Sequence, residues 1–113
     1  MEELAVFFGS LADTSRLRIM SVLNDQELCV CEIVNSLQMS QPNVSRHLKI
    51  LKNAGIIEDR KEAQMVFYRI SKNSRLWASV GEAVQRVLAE KILPEDAERL
   101  KECLIKRNYG SCC

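Results

Sequence analysis

Cys29 and Cys31 stand two residues apart, and a Cys-x-Cys pair can hold a soft metal or metalloid ion. About ten residues further on, Ser40, Gln41, Asn43, Ser45, Arg46, His47 and Lys49 crowd hydrogen-bonding groups into one short segment. Glutamine and asparagine amides match adenine, arginine matches guanine, and serine hydroxyls suit bases or phosphate. Lys49, Lys52, Arg60 and Lys61 are better suited to phosphate contacts, which supply affinity rather than sequence choice. A thiol pair beside a DNA-reading segment describes a switch.

The spacing of the pair constrains how it could work. In a regular α-helix, residues i and i+2 point about 200° apart, so one ion cannot reach both sulfurs. In an extended segment both share a face and chelation is easy. Ion binding would therefore favour a distorted start to the helix that follows, and so shift the reading segment. The competing reading is two small buried residues, since free cysteine packs well. Cys112 and Cys113 end the chain. A disulfide between neighbours is strained, so these two thiols are expected to reach an ion or another thiol pair. The candidate ligands are thus Cys29, Cys31, Cys112 and Cys113. Cys103 lies beside Leu100 and Leu104 and is expected to pack in the core. Five cysteines at short spacings favour metal or redox chemistry over a disulfide framework. His47 is the single histidine. Without acidic or histidine neighbours at ligand spacing, it is a base or phosphate contact or a packed helix residue rather than a metal ligand.

The elements that must position these groups follow from the apolar spacing. Residues 2–10 form a short helix, too apolar through Leu4, Ala5, Phe7 and Phe8 to stand alone on a surface. Asp13 caps a second helix over residues 14–23, with Leu17, Met20, Leu23 and Ile19 as scaffold. A third helix spans residues 30–37, and a tight connection at Gln38 and Met39 leads to Ser40. Ser40 is placed to cap the next helix by accepting from the backbone N–H of Asn43. Pro42 suits its first turn, Val44, Leu48 and Leu51 form its buried stripe, and Gly55 stops it. The period then changes: residues 57–60 and 65–70 form two strands joined by a turn at Lys61, Glu62, Ala63 and Gln64. Helices over residues 75–91 and 94–107 complete a mainly α fold with a small β-hairpin, a winged helix-turn-helix. Residues 1–107 form one domain and residues 108–113 a flexible, cysteine-containing tail.

Charge follows the same division. Residues 1–45 carry a net −4, residues 46–75 a net +5 and residues 76–113 none, so the middle third is the candidate phosphate contact. No stretch approaches the roughly 20 apolar residues that span a membrane. The acidic N-terminus lacks the pattern of a signal peptide. A cytoplasmic protein without a membrane partner is expected.

Leu28-Cys29-Val30-Cys31-Glu32-Ile33, the run from Ser40 to Leu51 and the run from Leu11 to Ile19 together resemble the arsenical-resistance operon repressors of the ArsR/SmtB family. The resemblance implies a homodimeric winged-helix repressor that binds double-stranded operator DNA when ligand-free and is released by a toxic ion. It implies a dimer built from residues 2–10 and 75–91. The arsenic-responsive members carry a third cysteine where Val34 stands here. Cys112 or Cys113 is then the candidate third ligand for arsenite or antimonite, or two thiols serve a trivalent organoarsenical. Cadmium and lead sensors of the family add cysteines near the N-terminus, and none precedes Cys29. Zinc sensors place histidine and aspartate after the wing, and residues 75–91 contain neither. The alternatives are a thiol-based redox regulator and a cadmium or lead sensor. No organic cofactor is expected. An enzyme is disfavoured, because no Cys-x-x-Cys near a βαβ pattern and no glycine-rich phosphate loop occurs.

Overall fold

The boundaries set by capping residues and apolar spacing recur in the computed structural model, which describes residues 1–110. Six helices are present among these residues: α1 (Glu2–Leu11), α2 (Thr14–Val22), α3 (Val30–Leu37), α4 (Gln41–Asn53), α5 (Arg75–Lys91) and α6 (Pro94–Asn108). Asp13 caps α2 by accepting from the Arg16 N–H, and Ser40 caps α4 by accepting from Asn43. Each cap satisfies a donor that the first helical turn leaves without a partner. α4 ends in a Schellman arrangement: the Gly55 N–H donates to Lys52 and the Ile56 N–H to Leu51. Gly55 has φ +77°, which this stop requires and which a side chain would oppose. Ile56, fully buried, pins the turn to the core.

The strands are β1 (Leu28–Cys29), β2 (Ile57–Glu62) and β3 (Met65–Ile70), in the antiparallel order β1-β3-β2. Two features depart from the sequence expectation. β2 continues two residues further, so Lys61 and Glu62 pair with Val66 and Met65 and the turn shrinks to Ala63 and Gln64. The short strand β1 was not expected, because two residues carry no readable period. It exists because β3 offers Leu28 and Cys29 its open edge, opposite Tyr68 and Phe67. Cys29, Phe67 and Arg60 thus stand in one row across the sheet.

The core joins Phe7 of α1, Ile19 and Met20 of α2, Ile33 and Leu37 of α3, and Val44, Leu48 and Leu51 of α4. Each such side chain contributes roughly 2 kcal/mol on burial, and those of α4 leave its opposite face outward. Leu17, expected in the scaffold, is 40% exposed. The α2 residues that do pack are Ile19, Met20 and Val22, with Leu23 beyond its end. Val87, expected on the inner side of α5, is also exposed, as are Leu4, Val6 and Phe8 of α1. Cys103 is buried, as expected, and α6 runs one residue longer than read, to Asn108. Of the expected tail over residues 108–113, Asn108 ends α6 and residues 111–113 lie outside the described residues. Among those described, no helix is long and apolar enough to cross a membrane.

Candidate thiol switch and nucleic-acid interface

Cys29 is the N-cap of α3, with extended backbone (φ −83°, ψ 165°), and Cys31 is the second residue of the helix. The pair therefore straddles the strand-to-helix boundary. The i, i+2 conflict of a regular helix does not apply, because the helix starts between the two cysteines. Cys29 closes a capping box with Glu32. Its sulfur takes the Glu32 N–H, and the Glu32 carboxylate accepts from the Cys29 N–H at 3.0 Å. Glu32 was missed in the sequence. Its signal is present, since Cys-x-x-Glu has the spacing of the Ser-x-x-Glu capping box with sulfur in place of the hydroxyl.

Cys29 is only 4% exposed. Burial pushes its thiol above the ordinary value, with the Glu32 N–H working the other way. Burial alone would raise the Glu32 carboxyl as well, but Arg107 and the Cys29 N–H outweigh it and hold the group below the usual range. Arg107, in the last turn of α6, forks onto both Glu32 oxygens and also donates to the Glu27 carbonyl at 3.1 Å. Asn35 Nδ2 lies 4.0 Å from Cys31 Sγ. Among the described residues, no group of three or more histidine, cysteine or acidic side chains could hold a metal ion. Cys112 and Cys113, the other two expected ligands, lie outside those residues.

The reading face is organised by α4. Ser40, Gln41, Ser45, Arg46 and Lys49 are exposed and Asn43 half-buried. Arg46 donates to the Asn43 side-chain oxygen at 2.7 Å, which pre-orders two candidate base-reading groups. His47 departs from the expected reading face. It is 4% exposed, packed rather than presented, with Nδ1 3.2 Å from Arg16 Nη1 and Nε2 3.4 Å from Arg46. The cause is its place next to Leu48 on the inward side of the helix. Arg16 in turn donates to the Ser10 carbonyl at 2.6 Å, so His47 ties α4 to α2 and α1.

Arg60 of the wing and Lys52 of α4 are already paired. Arg60 binds Glu27 at 2.7 Å and Glu62 at 2.8 Å and stacks over Phe67 at 4.9 Å. Lys52 binds Asp59 at 2.9 Å. A phosphate must therefore compete with carboxylates at these two positions, whereas Lys49 and Lys61 are exposed and enter no ion pair among the described residues. The net +5 of the middle third overstates its field, because Glu27, outside that third, also sits near Arg69.

Burial lowers the His47 pKa, with Arg46 and Arg16 adding to the effect and Asp13 opposing it. A depressed folded-state value means the unfolded chain takes up the proton first as pH falls. Stability from neutral His47 is then complete above about 6.5 and is lost as pH drops below it. The depressed carboxyls of Glu27, Glu32 and Asp13 act in a separate window, below about 4.5. The thermal midpoint should therefore fall between pH 7.5 and 5.5, and His47→Gln should flatten that part of the profile. An unchanged slope in the variant would assign the loss elsewhere.

Residues 13–59 match the family described as bacterial regulatory protein, arsR family. The arsenic resistance transcriptional regulator ArsR2 of Pseudomonas putida is 39% identical over 97 residues, covering 83% of this chain and 83% of that protein. The chain belongs to the ArsR family. The arsenical resistance operon repressor of Escherichia coli is 44% identical over 73 residues, which are 64% of this chain and 62% of the repressor's length. Among solved structures, the homodimeric winged helix-turn-helix DNA-binding domain of Mb0332 from Mycobacterium bovis, a possible ArsR-family regulator, superposes with a TM-score of 0.61. It is 31% identical and covers 78% of this chain and 73% of that one. Family membership fits the order α3, turn, α4, wing seen here.

Proposed function

We propose that this ArsR-family chain is a homodimeric repressor that binds double-stranded operator DNA when ligand-free and is released by arsenite or antimonite at cysteine sulfurs. It is not an enzyme, and it works in the cytoplasm, where the DNA is. The observation that carries the reading is the placement of Cys29 as an extended N-cap directly ahead of Cys31, at the front of the helix-turn-helix. The arsenic-resistance names of two relatives point the same way.

The chemistry suits a buried, protonated thiol. Arsenous acid condenses with thiols: each As–OH bond is replaced by As–S, and each S–H proton leaves with the hydroxide as water. No electron is transferred. Cadmium and lead bind thiolate instead, which burial of Cys29 disfavours. Oxidative sensing also starts from thiolate, which burial disfavours at Cys29, whereas Cys31 is disulfide-bonded, so a redox switch stands as the second reading.

Cys112 or Cys113 supplies the third sulfur. Arg107 is docked on Glu32, and Cys112 follows it by five positions in the chain, a span of at most about 17 Å. With only Cys29 and Cys31 engaged, a trivalent organoarsenical is the fitting ligand. Replacing both Cys112 and Cys113 with serine should weaken arsenite affinity about tenfold or more. Unchanged affinity would restrict the site to Cys29 and Cys31. The exposed Leu4, Val6 and Phe8 of α1 and Val87 of α5 form the apolar faces that a second copy covers.

The test is an operator duplex titrated with arsenite, antimonite, cadmium and zinc. Release by the first two supports the reading. Release by cadmium alone, or by peroxide with no arsenite response, replaces it with a divalent-ion or redox sensor.

A further inference from the structure

Among the described residues, the longest-range hydrogen bonds gather on α6, and they grip α3 at both ends. The two helices run antiparallel. Arg107, in the last turn of α6, holds Glu32 and the Glu27 carbonyl beside the thiol pair. Two turns earlier, Arg99 donates to the Ser36 carbonyl at 2.8 Å. Asp96, fully buried, accepts from Arg99 at 3.0 Å and from Arg18 at 2.9 and 3.0 Å. Arg18 then donates to the Leu37 carbonyl at 2.8 Å. The next residue, Gln38, has φ +55° and makes the turn into α4. A left-handed residue with a side chain costs on the order of 1 kcal/mol or more, and it persists where its surroundings over-determine it. The guanidinium grip on Ser36 and Leu37 is such a surrounding.

We propose that α6 is the mechanical link between the Cys29–Cys31 pair and the reading helix, with Arg107, Arg99 and Asp96 as its positioning residues. The proposal rests on the thiol-sensor reading above. Its physical basis is length. α3 has 8 residues, and distortion of its first turn by an ion could be absorbed there by fraying. α6 has 15 residues and is fastened to that first turn by Arg107, to the Ser36 carbonyl by Arg99, and through Asp96 to the Arg18 of α2 that holds the Leu37 carbonyl. A displacement of Glu32 is therefore carried along α6 to the Leu37–Gln38 turn, and the orientation of α4 follows. Coupling of this kind requires a two-state element biased by both sites, and the clasped turn is the element assigned that role.

The experiment uses the full-length protein and a fluorescent operator duplex, with and without arsenite. Arg99→Gln releases the turn end of α6 while leaving the thiols and Arg107 in place. The variant should bind operator within about threefold of wild type and should bind arsenite with unchanged affinity by calorimetry. The arsenite-induced loss of operator affinity should shrink at least tenfold, and Arg99→Lys, which keeps a donor, should restore part of it. Asp96→Asn is a second probe of the same end. Full coupling in Arg99→Gln overturns the link while leaving the sensor reading intact. A wild type that ignores arsenite overturns the sensor reading, and the link with it. Loss of both affinities in Arg99→Gln would mean that α6 only stabilises the fold, and would also overturn the proposal.

Discussion

Cys29→Ser should retain operator binding and lose its response to arsenite. The substitution is mild for folding, because Cys29 is an N-cap and serine is among the best N-cap residues. The Glu32 N–H keeps an acceptor, and the Glu32 carboxylate keeps its donor, the backbone N–H at position 29. Stability should match wild type or rise by up to about 1 kcal/mol. Effector coupling typically amounts to about 1–3 kcal/mol, a weakening of roughly 5- to 150-fold, and in the variant it should vanish. Anisotropy of an operator duplex across an arsenite titration measures this directly. A variant that releases DNA like wild type would move the sensor away from Cys29.

Arg46→Ala should have the largest effect on sequence choice. Arg46 is exposed on α4 and pre-ordered by Asn43 at 2.7 Å, so it meets a base or phosphate at little cost in side-chain entropy. A well-placed base contact discriminates by about 1–3 kcal/mol. Operator affinity should fall roughly 5- to 150-fold, with a much smaller loss on a scrambled duplex. Equal losses on both duplexes would make Arg46 a phosphate contact instead, and the salt dependence would then flatten by about one ion. Lys49→Ala should show that second pattern, because Lys49 is an exposed charge without a fixed geometry.

The elements were legible where the signal is local. Ser40, Pro42 and Gly55 act within a few residues of themselves, so the bounds of α4 could be read off directly. The same holds for Asp13 and for the hairpin strand Met65–Ile70. Local signals fail where two faces compete. Leu17 and His47 both lie on amphipathic helices, and which side turns inward depends on the packing partner. Leu17 turned outward and His47 inward. Strand β1 escaped notice because it exists only by pairing with β3, nearly 40 residues away in the chain.

By itself, the sequence determined a winged helix-turn-helix, a candidate reading helix with Arg46 and Asn43 near its start, and a cysteine pair ahead of it. These are matters of residue type and short spacing, governed by helix period and capping. Only the tertiary structure decided that Cys29 pairs into the sheet opposite Phe67, and that Glu32 stands between Cys29 and Arg107. It also decided that Arg60 faces Glu27, and that α6 folds back along α3. The reason is physical: charge pairing across 33 to 75 residues has no periodicity to announce it. It follows from which buried acid needs a cation and which helix end brings one near.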